Sequence, residues 1–113
     1  MDVTRTPHDS TGIADSARYA RQLQLPEIGP EGQRLLAQTS VAVVGAGGLG
    51  APILYYLTAA GIGRIAIIDC DVVSPSNLQR QILYQESDLA RSKAIQAQKR
   101  LTALNTTLQI EAI

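Results

Sequence analysis

An α/β fold on a parallel sheet, a βαβαβ unit preceded by N-terminal helices, is predicted by three features of this chain. Two short β-branched runs, Val41–Val44 and Ile65–Ile68, are separated by one crossover's length of chain. Leu49–Ala60 lies between them and is almost wholly apolar at helical length. A second helical stripe (Ala94, Ala97, Leu101, Leu104) then precedes an alternating Leu108–Ile113. Parallel strands need such long connections, and strands alternating with helices are the pattern of βαβ units.

Each element has a local reason. From Ser16 the periodicity is helical, with Ala17, Ala20, Leu23 and then Leu25 before Pro26, and Arg18 and Arg21 on another face, until Pro26 and Gly29-Pro30 stop it. A second helix is predicted over Glu31–Gln38, carrying Leu35, Leu36 and Ala37 inward. Val41–Val44 reads as a strand buried on both faces, because its apolar run is continuous rather than alternating. The apolar helix is closed by Gly61, and Pro52 falls in its first turn, where a missing N–H costs nothing. Ile65–Ile68 is the second buried strand and ends at Asp69. The segment from Asp69 to Arg91 lacks apolar periodicity and reads as a long polar loop. Ser92 is a candidate N-cap for a helix to about Ala103, and Asn105-Thr106-Thr107 turns the chain into a third strand. The organisation is therefore a flexible leader over 1–15 that contains a solvated His8, N-terminal helices over 16–39, and an α/β domain over 40–113.

Composition narrows the function. The 113 residues carry 10 Lys+Arg against 10 Asp+Glu, so no broad positive field exists to capture nucleic acid or an anionic membrane. Any bound anion must be held by a local site. With one cysteine, the chain forms neither an internal disulfide nor a multi-thiolate zinc site. Met1–Gly12 has no apolar core of a secretory signal, and no stretch is long and apolar enough to span a bilayer. A cytoplasmic, reducing compartment is the expectation.

Gly45-Ala46-Gly47-Gly48-Leu49-Gly50 fits G-x-G-x-x-G directly after a predicted strand and before a predicted helix. Gly45, Gly47, Gly48 and Gly50 let backbone N–H groups approach a phosphate, and the helix adds the positive end of its dipole. Asp69, at the carboxyl end of the second strand, is placed to accept hydrogen bonds from the hydroxyls of an adenosine ribose. Together these make the unit Rossmann-like and nucleotide-binding. Asp71 either caps the loop or helps hold Mg²⁺. Ser76-Asn77-Leu78-Gln79-Arg80-Gln81 then gathers amides, a hydroxyl and a guanidinium, and Lys93 follows at the next helix. Read functionally, Arg80 and Lys93 neutralise charge on an α-phosphate and a departing pyrophosphate; read from composition alone, the segment is a solvated polar loop.

The segments RYARQ (Arg18 to Gln22), VAVVGAGGLG and AGIGRIAIIDCDVVSPSNLQRQ, with Lys93 after them, resemble the MoeB/ThiF branch of the ubiquitin-activating-enzyme superfamily over about residues 16–113. The resemblance implies an adenylyltransferase that uses ATP and Mg²⁺ to activate the C-terminal Gly-Gly carboxylate of a ubiquitin-fold carrier protein, releasing pyrophosphate. It implies that Gly48 contacts the nucleotide phosphates and Asp69 the ribose. Asn77 and Arg80, with Ser76, Leu78 and Gln79 beside them, bind the phosphates, and Lys93 completes the cationic clamp. It implies that Arg21 is inserted into the neighbouring subunit's site of a homodimer. Members of the family carry further parts not found in these residues. These are a Mg²⁺-binding aspartate, a carrier-binding surface, two Cys-x-x-Cys pairs for structural Zn²⁺ and, in many members, a catalytic cysteine. Cys70 does not match that cysteine and reads as a small packing residue. At Ala90-Arg91-Ser92-Lys93 the family often has Gly and Pro before the lysine. Two alternatives stand beside this reading: an NAD-binding oxidoreductase domain, and a non-catalytic nucleotide-binding module that dimerises.

Overall fold

The middle strand of the sheet is β2 (Arg64–Ile68), paired in parallel with β1 (Ser40–Val44) on one side and β3 (Gln109–Ala112) on the other. The computed structural model describes residues 15–113, so His8 and nearly all of the leader lie outside the described residues. Helices α1 (Asp15–Arg18), α2 (Ala20–Leu23) and α3 (Gly29–Ala37) come first. The crossovers are α4 (Gly50–Ala60) and the helix α5 (Lys93–Leu104). Two successive right-handed crossovers in the strand order β1-β2-β3 put α4 and α5 on the same face, where they touch each other.

That one-sided cover corrects the expectation of doubly buried strands. The register aligns Val41 with Ile65 and Ile110, and Val43 with Ile67 and Ala112, and this row packs against the helices. Ser40, Ala42 and Val44 point the other way and are exposed, so β1 alternates as a strand covered on one side must. Val44 is 79% exposed. The opposite face also carries the Arg64–Glu111 ion pair.

The N-terminal segment is two short helices rather than one, because Tyr19 breaks the run and turns inward to 6% exposure. Gly29-Pro30 starts α3 instead of stopping a helix, since Pro30 falls in the first turn, where its absent donor is harmless. Of the expected inward trio only Leu36 packs against the core; Leu35 and Ala37 are exposed, and Gln33 is buried in their stead. In α5, Ala94, Ala97 and Leu101 are buried as expected, whereas Leu104 is 41% exposed. The Ser92 side chain caps α5 by accepting from the Ile95 N–H at 3.3 Å.

The segment after β2 is not a solvated loop. Val73, Leu83 and Tyr84 belong to the core, 3₁₀ turns form at Pro75–Asn77 and Glu86–Asp88, and Val73 bridges to Leu89. Its hydrophobes are spaced for turns, which is why no helical or strand period is visible. Arg100 holds the buried Asp88 at 2.7 Å, which in turn accepts from the Gln85 N–H. Ala90 adopts φ +67°, a left-handed conformation that favours glycine. Cys70 is exposed rather than packed, because the Asp71 N–H folds back onto the Asp69 carboxylate and turns residue 70 outward.

The C-terminal end of α4 is closed by side chains from three distant segments. Gln22 and Gln33 both donate to the Ala60 carbonyl, at 3.1 and 3.0 Å, and Gln22 also donates to the Gln33 oxygen. Asn105, fully buried, donates from Nδ2 to the Tyr19 hydroxyl at 2.8 Å and to the Thr58 carbonyl at 3.3 Å. Its oxygen accepts from both the N–H and the hydroxyl of Thr107. Gly61 sits at φ +95°, and a Cβ there would lie 2.8 Å from Tyr19 and Gln33 atoms.

Two stability effects follow. Asn105→Ala strands several buried partners and is expected to lower unfolding free energy by about 2–3 kcal/mol in chemical denaturation. Ala90→Gly relieves the left-handed strain against a more flexible unfolded chain, and is expected to be neutral or to stabilise by up to about 1 kcal/mol.

Candidate functional site

The glycine loop leaves β1 at Gly45, whose φ of +96° favours glycine and whose N–H donates to the Ile68 carbonyl. Gly50 is required for close approach: a Cβ there would lie 1.9 Å from the Gly45 carbonyl oxygen. Gly48 differs, because a Cβ added to it would meet nothing within 4 Å. Open space therefore faces Gly48 at the start of α4. Ala51 N–H bonds the Gly47 carbonyl, while the N–H groups of Gly47 and Gly48 have no acceptor among the described residues. Such orphan donors at a helix N-terminus suit an anion.

Asp69 joins the loop to the second half of the site. One carboxylate oxygen accepts from the Ala46 N–H at 2.7 Å and the other from the Asp71 N–H at 2.8 Å. Each oxygen keeps a further lone pair, so Asp69 retains capacity for a ligand hydroxyl. Asp71 is exposed, and its carbonyl accepts from the Lys93 N–H at 3.0 Å. Lys93 is only 6% exposed, at the first position of α5, and its ammonium has no partner among the described residues. Its Nζ is not one of the fully buried unpartnered atoms, so the ammonium reaches solvent and is open to an anionic ligand.

The remaining predicted residues divide. Asn77 is buried, and its oxygen accepts from the Ser74 N–H and hydroxyl at 2.9 and 3.0 Å, fixing the 3₁₀ turn. Its amide nitrogen has no partner among the described residues. Leu78 packs against the core, whereas Ser76 and Gln79 are exposed. Arg80 is exposed and its guanidinium folds back to the Ser76 carbonyl at 2.8 Å, and it bonds no atom of the glycine loop. Arg21 is also exposed, on α2 beside the C-terminal end of α4, the end away from the loop. An 11-residue helix spans about 16 Å, which separates Arg21 from this chain's own glycine loop.

Of two residues beneath the loop, sequence reasoning missed Tyr84 and named Gln81 only as an amide of the polar segment. Tyr84, 5% exposed, donates its hydroxyl to the Ala46 carbonyl at 2.6 Å. Gln81, 4% exposed, has its amide 3.5 Å from where a Gly47 Cβ would be, with its oxygen unpartnered. Burial raises the Tyr84 pKa far above the usual phenol value, with smaller contributions from the Asp69 and Asp88 carboxylates. The signal available was spacing: Gln81 and Tyr84 are three apart, so one turn presents both to the same side. A shallow concavity of about 560 Å³ is lined by Leu78, Tyr84, Gln85, Glu86 and Ser87 on this same segment.

This arrangement has close counterparts. The sulfur carrier protein adenylyltransferase of Thermus thermophilus is 56% identical over 95 residues, which are 84% of this chain and 35% of that protein. The probable adenylyltransferase/sulfurtransferase MoeZ of Mycobacterium tuberculosis is 46% identical over 104 residues, 92% of this chain and 26% of that protein. The chain thus spans about a third or less of the length of these relatives. Among solved structures, the E. coli tRNA N6-threonylcarbamoyladenosine dehydratase TcdA in complex with ATP matches with a TM-score of 0.81 at 29% identity, covering 89% of this chain and 42% of that one. E. coli MccB with ATP matches with a TM-score of 0.79 at 28% identity, covering 95% and 33%. The model of the ThiF family matches residues 19–113. With the glycine loop, the strand-end Asp69 and the Lys93 helix all inside that match, the chain belongs to the ThiF family.

Proposed function

We propose that this chain is the nucleotide-binding part of an enzyme that uses ATP to adenylate the C-terminal glycine carboxylate of a ubiquitin-fold sulfur-carrier protein. One observation carries the reading: the Asp69–Asp71 segment bonds the glycine loop through Ala46 and the lysine helix through the Lys93 N–H. A pyrophosphate cradle for a dinucleotide has no need of a cation such as Lys93, which has no acidic partner among the described residues. Adenylyl transfer does, because charge builds on the α-phosphate and the leaving pyrophosphate. The ATP complexes of TcdA and MccB, and the adenylyltransferase names of the relatives, support the same choice.

The chemistry asks little of the protein beyond alignment and charge. A carboxylate oxygen of the carrier attacks the α-phosphorus, the bond to the bridging oxygen breaks, and pyrophosphate leaves with its electron pair. No protein nucleophile takes part. In this reading Gly47 and Gly48 donate backbone hydrogen bonds to the phosphates, Asp69 accepts from the ribose, and Lys93 balances the developing charge. Arg80 joins Lys93 by swinging off the Ser76 carbonyl, an exposed contact that costs little to break. Mg²⁺ comes with the triphosphate, and Asp71 offers it an exposed carboxylate. The carrier protein is the partner, and the protein works as a cytoplasmic homodimer in which Arg21, remote from its own loop, serves the neighbouring site.

Calorimetric titration of the chain is expected to show ATP·Mg²⁺ bound in preference to NAD, with Lys93→Ala and Arg80→Ala each weakening ATP by about tenfold or more. Unchanged titrations for both variants would remove those two assignments, and a preference for NAD would restore the oxidoreductase reading. Equilibrium sedimentation is expected to show dimers at tens of micromolar. Monomer alone would count against the role of Arg21.

A further inference from the structure

Beneath the glycine loop lies a buried phenol that the phosphate chemistry does not use directly. Tyr84 donates to the Ala46 carbonyl at 2.6 Å, while the Ala46 N–H on the other side of that residue is held by Asp69. The Ala46–Gly47 peptide is trans, as are all the described peptides, so its carbonyl and its N–H point in opposite directions. Drawing the Ala46 carbonyl inward therefore drives the Gly47 N–H outward, toward the open side of the loop. Gly47 has no Cβ to resist another orientation, so the loop needs an outside restraint.

We propose that Tyr84 is a positioning residue for phosphate binding: its buried hydroxyl sets the direction of the Gly47 N–H by anchoring the Ala46 carbonyl. The anchor is well supported. The Tyr84 N–H bonds the Gln81 carbonyl, and the Gln81 N–H bonds the Asn77 carbonyl, so the Asn77 turn carries both side chains to the underside of the loop. Gln81, itself buried, closes the floor under Gly47. The hydroxyl stays protonated throughout the neutral range, because burial opposes its ionisation. Asn77 thus has a part in placing the loop as well as any part in touching the nucleotide.

The proposal rests on the ATP reading for its consequence, but not for its geometry. Tyr84→Phe removes only the donor. In the 113-residue chain this variant is expected to weaken ATP·Mg²⁺ binding about five- to tenfold, while adenosine, which has no phosphates, binds as before. In ¹H–¹⁵N spectra the Gly47 amide resonance is expected to move and the distant Gly61 resonance to stay. Replacing Tyr84 by p-aminophenylalanine, which keeps an N–H donor at about the same reach, is expected to retain most of the ATP affinity, and a loss there as large as in Tyr84→Phe would overturn the proposal, which decides the matter should the Phe variant fold poorly. Equal losses for ATP and adenosine, or a Gly47 resonance unmoved in Tyr84→Phe, would overturn the proposal. Wild-type chain that binds NAD and not ATP would overturn the function proposed above, with the Gly47 resonance still testing the anchor.

Discussion

The Asp69 carboxylate is the contact on which the site's geometry depends. It stands where β2 ends, and it holds the Ala46 N–H with one oxygen and the Asp71 N–H with the other. The first bond ties the glycine loop to the neighbouring strand; the second starts the turn that leads, through the Asp71 carbonyl, to Lys93. Charged acceptors make the stronger hydrogen bonds, so a single side chain aligns two segments that the sheet alone would leave loose. The carboxyl ends of parallel strands are where open α/β sheets bind ligands, and Asp69 occupies that edge.

From there the molecule treats the two ends of α4 differently. At the C-terminal end, the Ala60 carbonyl is met by Gln22 and Gln33, and the Thr58 carbonyl, already bonded by the Gly61 N–H, is met by Asn105 as well. At the N-terminal end the Gly47 and Gly48 donors are left open and faced by empty space. Every helix has orphan groups at both ends. Here one set is satisfied internally, at the cost of ordering α1 to α3, and the other is kept for an outside acceptor.

Much of this was legible in the residues. The strand–helix alternation, the glycine loop, Asp69 and the Ser92 cap follow from period, spacing and local chemistry, and the structure has each of them. What was not legible depends on contacts across long stretches of chain. Asn105 and Tyr19 are 86 positions apart, and nothing near either one announces the bond. Gln33 reads as a surface glutamine until the end of α4 arrives beside it. The segment from Val72 to Leu89 hid its core residues because turns, not a regular period, carry them inward. The doubly buried β1 was a fault of a different kind: an apolar run shows what a strand can bury, while the number of layers decides what it does bury.

The chain contains no Trp and no Phe, so its four tyrosines are its whole near-ultraviolet signature. Two are buried, and they lie at opposite ends of α4: Tyr19 against the Asn105 node, Tyr84 under the glycine loop. Tyr56, by contrast, is 77% exposed on the helix between them. The fold thus carries its own optical labels, one for the end that holds the N-terminal helices and one for the end that is open. Replacing Tyr19 and Tyr84 by Phe in turn assigns an absorbance change to one end or the other, and so separates loosening of the scaffold from movement of the loop with no foreign dye attached.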